Sequence, residues 1–301
     1  MENYVQLSAE DLKELQRKNL EIAVYLANFC REHNIRVFLH AGALLGAIRH
    51  KGFIPWDDDI DMCFPAPDWK KFIKAWEKYG DKERYTLCLQ SREYNDHRLS
   101  SSLQDNRTTF ITAASVNVDG RQGLGLDLGP IHAVPDSKIG QLFQLIFAAG
   151  CSLFKASRLP NRQSKTVYTA SKILLGIFRT DGIRYFLWSN FEKLATKADA
   201  SYEKHKYIRE FTMFPYIKWL FPREWFDKVV WVPFEDTELP IPNGAKEYLK
   251  MRYGDYMKLP PEKDRHPEHK IVFMDLHTPY TQYRGKKYFC KKPIASSYNH
   301  K

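Results

Sequence analysis

Residues 52–62 read Gly-Phe-Ile-Pro-Trp-Asp-Asp-Asp-Ile-Asp-Met, so four carboxylates fall within five positions. They follow a turn-forming Gly52 and Pro55 and run into the apolar segment 60–64. If that segment is a strand, side chains alternate between its faces, and Asp57, Asp59 and Asp61 share one of them. Crowded carboxylates repel, and each is driven towards protonation unless a cation sits among them. Mg2+ or Mn2+ suits such a site, because these ions take a few carboxylates and leave positions open for substrate phosphates. A solvated turn or a helix cap is the plain alternative for an Asp run. Here Trp56, Ile60, Met62 and Phe64 flank it, which favours partial burial, where unpaired charge is costly. An EF-hand loop does not fit: counted from Asp57, its sixth and twelfth positions hold Met62 and Asp68 instead of Gly and Glu.

Just upstream lies Ala41-Gly42-Ala43-Leu44-Leu45-Gly46-Ala47-Ile48-Arg49-His50-Lys51. A strand that ends in a glycine before a short helix can aim backbone N–H groups at a phosphate. Close packing explains two glycines equally well. With Arg49, His50 and Lys51, however, anion-binding groups and carboxylates lie within about twenty residues around one strand–helix–strand unit. Gly42, Arg49 and Lys51 are therefore the candidate phosphate contacts. Further on, Asp127 is the one acid in the apolar run Gly-Leu-Gly-Leu-Asp-Leu at 123–128. An isolated carboxylate there needs a partner, so Asp127 is expected to complete the carboxylate set, with a single salt bridge or a cap as the alternative.

These groups must be positioned by a chain of 301 residues, a length for one elaborated domain or one domain with a large insertion. A hydrophobic fraction of 44% and an aromatic fraction of 14% belong to a globular protein with a sizeable core. The five cysteines are scattered, odd in number and free of any CxxC pair, which indicates a reduced, cytoplasmic protein. The N-terminus has no basic segment followed by an apolar run, so no secretory signal is visible. The formal net charge of +10 attracts nucleic acid, anionic lipid headgroups or phosphorylated substrates. No nucleic-acid module signature is present, and a membrane surface or anionic acceptor fits better.

Ser8-Ala9-Glu10-Asp11 resembles a capping box with Asp at its fourth position, and Leu12, Leu15, Ile22, Leu26 and Phe29 follow at helical spacing, predicting a helix over 9–33. A short buried strand is expected at 36–40 and a helix at 67–79. Further strands are expected at 85–89, 99–103, 108–112, 123–128, 231–235 and 239–242, and a helix at 245–253 ended by Gly254. Residues 136–206 read as helices. The longest apolar stretch, 139–154, is interrupted by Gln141 and Gln144 and is expected to fall short of the ~20 residues that span a bilayer. Basic residues including Lys155, Arg158, Arg162 and Lys165 follow it, and apolar faces so flanked either lie in a membrane interface or serve as ordinary core helices. The tail from Lys258 is polar, with prolines. His266-Pro267-Glu268-His269 is expected to be a solvated or acceptor-side loop, since Pro267 spoils helical ligand spacing.

The run from Ala41 through Met62 resembles the signature of the LicD family, phosphocholine transferases of bacterial surface glycans to which fukutin-type ribitol-phosphate transferases are distant relatives. Two more segments are similar: Gly125-Leu126-Asp127-Leu128 with Pro130 and Pro135, and the tail 234–260 with Pro240-Ile241-Pro242 and the run from Tyr248 to Tyr256. Residues 137–225 do not match. The resemblance implies an α+β fold, a nucleotidyltransferase-like small mixed β-sheet flanked by helices. A catalytic core over 1–136, a helical insertion over 137–225 for acceptor or membrane surface, and a C-terminal part over 226–301 packing back on the core would follow. It also implies that Gly42 stands at the glycine motif, Asp59 and Asp61 are the metal pair and Asp127 is the third carboxylate, as metal ligand or base. Gly42-Ala43 departs from the Gly-Ser or Gly-Gly of many nucleotidyltransferases, so backbone N–H groups or Arg49 would replace a hydroxyl contact.

The implied reaction is metal-dependent transfer of phosphocholine, or a related phospho-alcohol, from CDP-choline or another CDP-alcohol to a hydroxyl of a glycan. The acceptor would be lipopolysaccharide, teichoic acid or a lipid-linked precursor, reached in the cytoplasm or at the inner face of the membrane. Choline would favour an aromatic pocket, for which Trp56, Tyr253 and Tyr256 are candidates. Two rivals remain. A metal-dependent glycosyltransferase also uses Asp-x-Asp, but only one helix, and no strand–helix series, precedes the motif. A non-catalytic glycan- or membrane-binding protein is the other.

Overall fold

The structure, a computed structural model, describes residues 4–160, 164–211 and 217–290. Helix α1 (Ala9–Glu32) starts as its sequence dictates: Ser8 Oγ accepts the Asp11 N–H at 3.1 Å, and the Asp11 carboxylate accepts the Ser8 N–H at 3.1 Å. Its buried stripe of Leu15, Ile22, Ala23, Leu26 and Phe29 lies against the sheet, at helical spacing. Strand β1 (Phe38–Leu39) follows, and helix α2 (Ala41–Arg49) begins two residues later. The strand is shorter than expected, and Gly42 lies inside the first turn of α2 instead of ending the strand.

Strand β2 (Asp61–Pro65), helix α3 (Ala66–Tyr79), and strands β3 (Tyr85–Cys88), β4 (Ser101–Asp105), β5 (Thr109–Thr112) and β6 (Gly125–Ala133) complete the first half. The main sheet runs in the order β1-β2-β6-β4-β3. β2 and β6 run parallel, whereas β1–β2, β4–β6 and β3–β4 are antiparallel. The architecture is therefore mixed α+β. Residues 57–60 are irregular and the strand begins at Asp61, so Asp57 and Asp59 sit on a loop that leads into β2.

The next segment carries α4 (Lys138–Ala156), α5 (Lys165–Ile177) and α6 (Asp181–Ala195). The chain then returns to the sheet by two strands that sequence reasoning missed, β7 (Tyr207–Glu210) on β6 and β8 (Phe221–Pro222) on β7. Contrary to the sequence expectation, α4 is, at 19 residues, long and apolar enough to cross a membrane by length and composition. The two glutamines do not break it, because Gln144 finds partners on neighbouring elements. Its Nε2 donates to the carbonyls of Ala133 (2.7 Å) and Ala195 (3.0 Å), and its Oε1 accepts from Arg209 (3.3 Å). These bonds tie α4 to β6 and α6. Its other face, with Ile139, Leu142, Phe143 and Ile146, is exposed.

The C-terminal third packs against the start of the chain. The hairpin β9 (Val229–Phe234) and β10 (Thr237–Pro242) lies beside β1 and α1, and helix α7 (Ala245–Tyr253) beside α2. At the hairpin tip Glu235, with φ +52°, accepts the Phe53 N–H at 2.9 Å. A Cβ at Gly52 would lie 2.1 Å from that same Oε1, so a larger residue there would push the Glu235 carboxylate off the Phe53 N–H. Strand β11 (Ile271–Asp275) pairs antiparallel with β5. The polar tail thus contributes a strand that sequence reasoning missed.

Candidate active site

The parallel ladder between β2 and β6 puts Asp61 opposite Asp127 and Cys63 opposite Gly129. Residues paired across a ladder share a face, so the two carboxylates stand side by side. Asp59 approaches from the loop before β2. All three line a cavity of about 230 Å3 together with His40, Ser100, Glu210 and His269. Glu210 reaches it because β7 pairs with the second half of β6, Glu210 opposite Ile131.

Burial pushes Asp61 well above the ordinary carboxylate range, and the charges of Asp59, Asp127, Glu210 and Asp57 push it further. Asp57 is raised to about 8 by burial and then by Asp59 and Asp58. Asp59 rises to about 6, chiefly by burial, with His269 opposing. The carboxylates outnumber the positive groups beside them, His269 and Arg98. Hard carboxylate oxygens in this number fit an oxygen-loving divalent cation.

Asp58 behaves differently. It is fully buried, and both of its oxygens meet His269: Oδ1 the ring Nδ1 at 3.1 Å, Oδ2 the backbone N–H at 3.2 Å. Burial lowers the His269 pKa, but the bond to Asp58 and the charges of Asp58, Asp59 and Asp127 outweigh it and raise it to about 9. Ligand atoms of Asp58, Asp59 and His269 lie within 4.8 Å of one another, a possible metal site by proximity. The chemistry favours another assignment. An imidazolium held by Asp58 is itself a cation among the carboxylates, and His269 engages both Asp58 oxygens. Asp59, Asp61 and Asp127 line one cavity beside it, though among the described residues their oxygens do not form so close a group. Asp127 accepts from Ser100 Oγ at 2.8 Å and is half-exposed towards the cavity.

Helix α1 holds the Asp loop by its backbone. Asn19 Nδ2 donates to the Asp58 carbonyl at 2.9 Å and Gln16 Nε2 to the Asp57 carbonyl at 2.8 Å. Asn19 is fully buried between Leu15 and Ile22, a polar residue in an apolar stripe, which is the signal by which sequence alone could have found it. On the floor, His40 Nε2 meets Glu210 Oε2 at 3.0 Å, and Arg252 reaches that same oxygen at 3.3 Å and the Tyr248 hydroxyl at 2.9 Å. The partners of His269 and His40 lie 170 to 211 residues away in sequence, and no local pattern announces them. The one sign at His269 is the β-rich Ile271-Val272-Phe273 that follows it and forms β11.

The structure does not bring the three candidate phosphate contacts to this cavity. Gly42 stands against Asp57 instead: a Cβ there would lie 3.0 Å from its Oδ2. Arg49 donates to the Tyr256 carbonyl and to His50 Nε2, both at 2.9 Å, and Lys51 is exposed at φ +59°. The aromatic candidates are also elsewhere, and Trp56 already has the Arg265 guanidinium over its ring at 5.6 Å.

The family model described as "LicD/FKTN/FKRP, nucleotidyltransferase domain" matches residues 34–117, which hold α2, the Asp loop and β2 to β5. The chain is also 30% identical over 271 residues to the lipopolysaccharide cholinephosphotransferase LicD of Haemophilus influenzae, covering 86% of this chain and 96% of that protein. The chain belongs to the LicD family. The resemblance carried by residues 41–62 therefore holds, and with it the expectation of a LicD-type transferase. Other relatives of this LicD-family protein are an uncharacterised protein of Rickettsia prowazekii, 37% identical over 101 residues (31% of this chain, 36% of that one), and one of Rickettsia typhi, 52% identical over 64 residues (19% and 21%).

Replacing Asn19 by Ala leaves the buried Asp58 carbonyl without its donor. Urea unfolding is expected to show a loss of about 1–3 kcal/mol, together with weaker Mn2+ binding in the folded protein. Unchanged stability and Mn2+ affinity would mean that α1 does not hold the loop.

Proposed function

We propose that this LicD-family chain transfers phosphocholine from CDP-choline to a hydroxyl of a bacterial surface glycan, in a site built on a nucleotidyltransferase-like sheet. The observation that carries the reading is the pairing of Asp61 with Asp127 across β2 and β6 at a cavity shared with Asp59. The near full-length match to a lipopolysaccharide cholinephosphotransferase supports the transferred group and a lipopolysaccharide-type acceptor.

Asp59, Asp61 and Asp127 would hold a Mg2+ or Mn2+ ion, which when bound supplies the positive charge that offsets the donor's phosphates. The chain's own residues do the rest. The loop bonds of Asn19 and Gln16 fix Asp59 relative to Asp61, so the site is organised before the donor arrives. The acceptor oxygen forms a bond to the distal phosphorus as the bond to the bridging oxygen breaks, and the electron pair leaves on CMP. Asp127 stands at the cavity edge with one oxygen bonded to Ser100, where it can take the hydroxyl proton if it is not held as a ligand.

The reading extends to a cytoplasmic protein working against the membrane. Exposed apolar side chains on α4 (Ile139, Phe143, Ile146), α5 (Ile173, Ile177) and α6 (Phe186) support it, with exposed Lys138, Lys165, Lys172 and Arg179 beside them. Gln144 anchors α4 to the sheet, which favours helices lying on the bilayer over one crossing it.

Asp61→Asn and Asp127→Asn are expected to lower transfer from CDP-choline by roughly a hundredfold or more and to remove the Mn2+-dependent rise in melting temperature that CDP-choline gives the wild type. Stabilisation by a UDP-sugar and not by any CDP-alcohol would instead identify a glycosyltransferase. Wild-type protein should sediment with phosphatidylglycerol vesicles and less with phosphatidylcholine ones, and Phe143→Glu combined with Phe186→Glu should release it. A wild type that ignores anionic vesicles refutes the membrane contact.

A further inference from the structure

Two more cavities adjoin the one at the carboxylates. The first, of about 350 Å3, shares Asp59, Ser100, Asp127 and His269 with it and continues to Arg98 and Arg158. The second, of about 280 Å3, shares Arg98, Ala114 and Arg158 with that one and ends at Arg121 and Gln122. The shared walls make one trough with Asp59 and Asp127 at a junction. Charge changes sign along it. On one side stand Asp61, Glu210 and Glu268. On the other stand three arginines, with Asp96 the acid among the residues of the end cavity.

The two arginines nearest the junction have unused donors. The Arg98 guanidinium forms ion pairs with Asp127 at 3.6 Å and Asp96 at 3.9 Å, but neither contact is short enough for a hydrogen bond, so its N–H groups remain open to a ligand. Arg158 is exposed and makes no ion pair among the described residues. At the far end Gln122 is almost fully buried. Its Nε2 donates to the carbonyls of Ser115 (2.9 Å) and Val118 (3.3 Å), which fixes the orientation of the amide, and its Oε1 has no partner among the described residues. A buried acceptor without a donor is costly, and Gln122 lines the wall of the end cavity.

We propose that Arg98 and Arg158 clamp the phosphate of the nucleotide half of the donor, and that the trough beyond them to Gln122 holds its nucleoside. This rests on the reading of the site as one for a nucleotide-activated donor. In an in-line displacement the leaving oxygen and the attacking hydroxyl lie on opposite sides of the phosphorus. With the reacting phosphorus at the carboxylate junction, the leaving nucleotide belongs on the arginine side and the acceptor hydroxyl on the other. Negative charge grows on the nucleotide phosphate as the bond breaks, and guanidinium groups placed there stabilise it. The clamp also explains why Arg49 and Lys51 can lie off the cavity. The phosphate contacts come from the segment before β4 and the end of α4, not from the stretch beside the Asp run.

Calorimetric titration of CMP and of CDP-choline, with Mn2+ present, tests this on wild type, Arg98→Gln, Arg158→Gln and the double variant, alongside steady-state kinetics. Each single change is expected to weaken CMP binding about tenfold and the double change about a hundredfold, with the KM for CDP-choline raised and that for the glycan acceptor unchanged. Folding of each variant is checked by circular dichroism, and the single variants decide the matter if the double one does not fold. If wild type binds CMP and the variants bind it equally well, the clamp is wrong while the proposed reaction stands. A rise in acceptor KM alone would assign the arginines to the glycan and overturn the proposal. A wild type that binds neither CMP nor CDP-choline overturns both the clamp and the reaction.

Discussion

Everything at this site depends on one costly juxtaposition: parallel pairing of β2 and β6 sets Asp61 beside Asp127. Asp61 opposes folding here by its burial and by repulsion from Asp59 and the half-exposed Asp127, which together push its pKa strongly upward. The surrounding structure holds them together against that repulsion. The ladder fixes their spacing through backbone bonds that side-chain charge cannot easily move. Helix α1 holds the loop that brings Asp59, through the carbonyls of Asp57 and Asp58. His269, delivered by β11, places a positive charge on Asp58 and near Asp59.

The same constraint explains the length of chain used. Asp59 and Asp61 come from one stretch, Asp127 from a strand some sixty positions later, and His269 from near the end of the described chain. β1, β2 and β6 form a frame that β7 extends to bring Glu210 under the cavity, where His40 and Arg252 engage it. A cluster of this charge density does not suit a protein that only binds neutral glycan. The proposed reading, in which a LicD-family transferase handles phosphates at this site, accounts for it.

Much of this was legible in the sequence where the signal is local. The Asp run stood out by spacing, and Asp127 by being charged in an apolar strand; Asp59 and Asp61 of the run line the cavity with Asp127. The capping box of α1, helix α7 and the strands β9 and β10 followed from caps, periodicity and turn residues, though the pairing of β9 with β10 did not. What was not legible came from contacts across the chain. β7 and β11 are short strands with mixed polarity, stabilised by the partners they find on β6 and β5, and nothing in their own residues fixes that pairing. His269 looked solvent-exposed because its partner is Asp58, 211 positions earlier. Arg49 and Lys51 looked like phosphate ligands because they lie next to the Asp run in sequence. The turn at 50–56 carries them away, and Arg49 is held by Tyr256.

The central claim is that Asp59, Asp61 and Asp127 together bind the divalent cation. Anomalous diffraction from crystals grown with Mn2+ tests it most directly. The account predicts one strong peak between the carboxylates of Asp61 and Asp127, with Asp59 at its side and His269 still bonded to Asp58. A peak bound by Asp58 and the His269 ring, with Asp61 and Asp127 left free of metal, would contradict it.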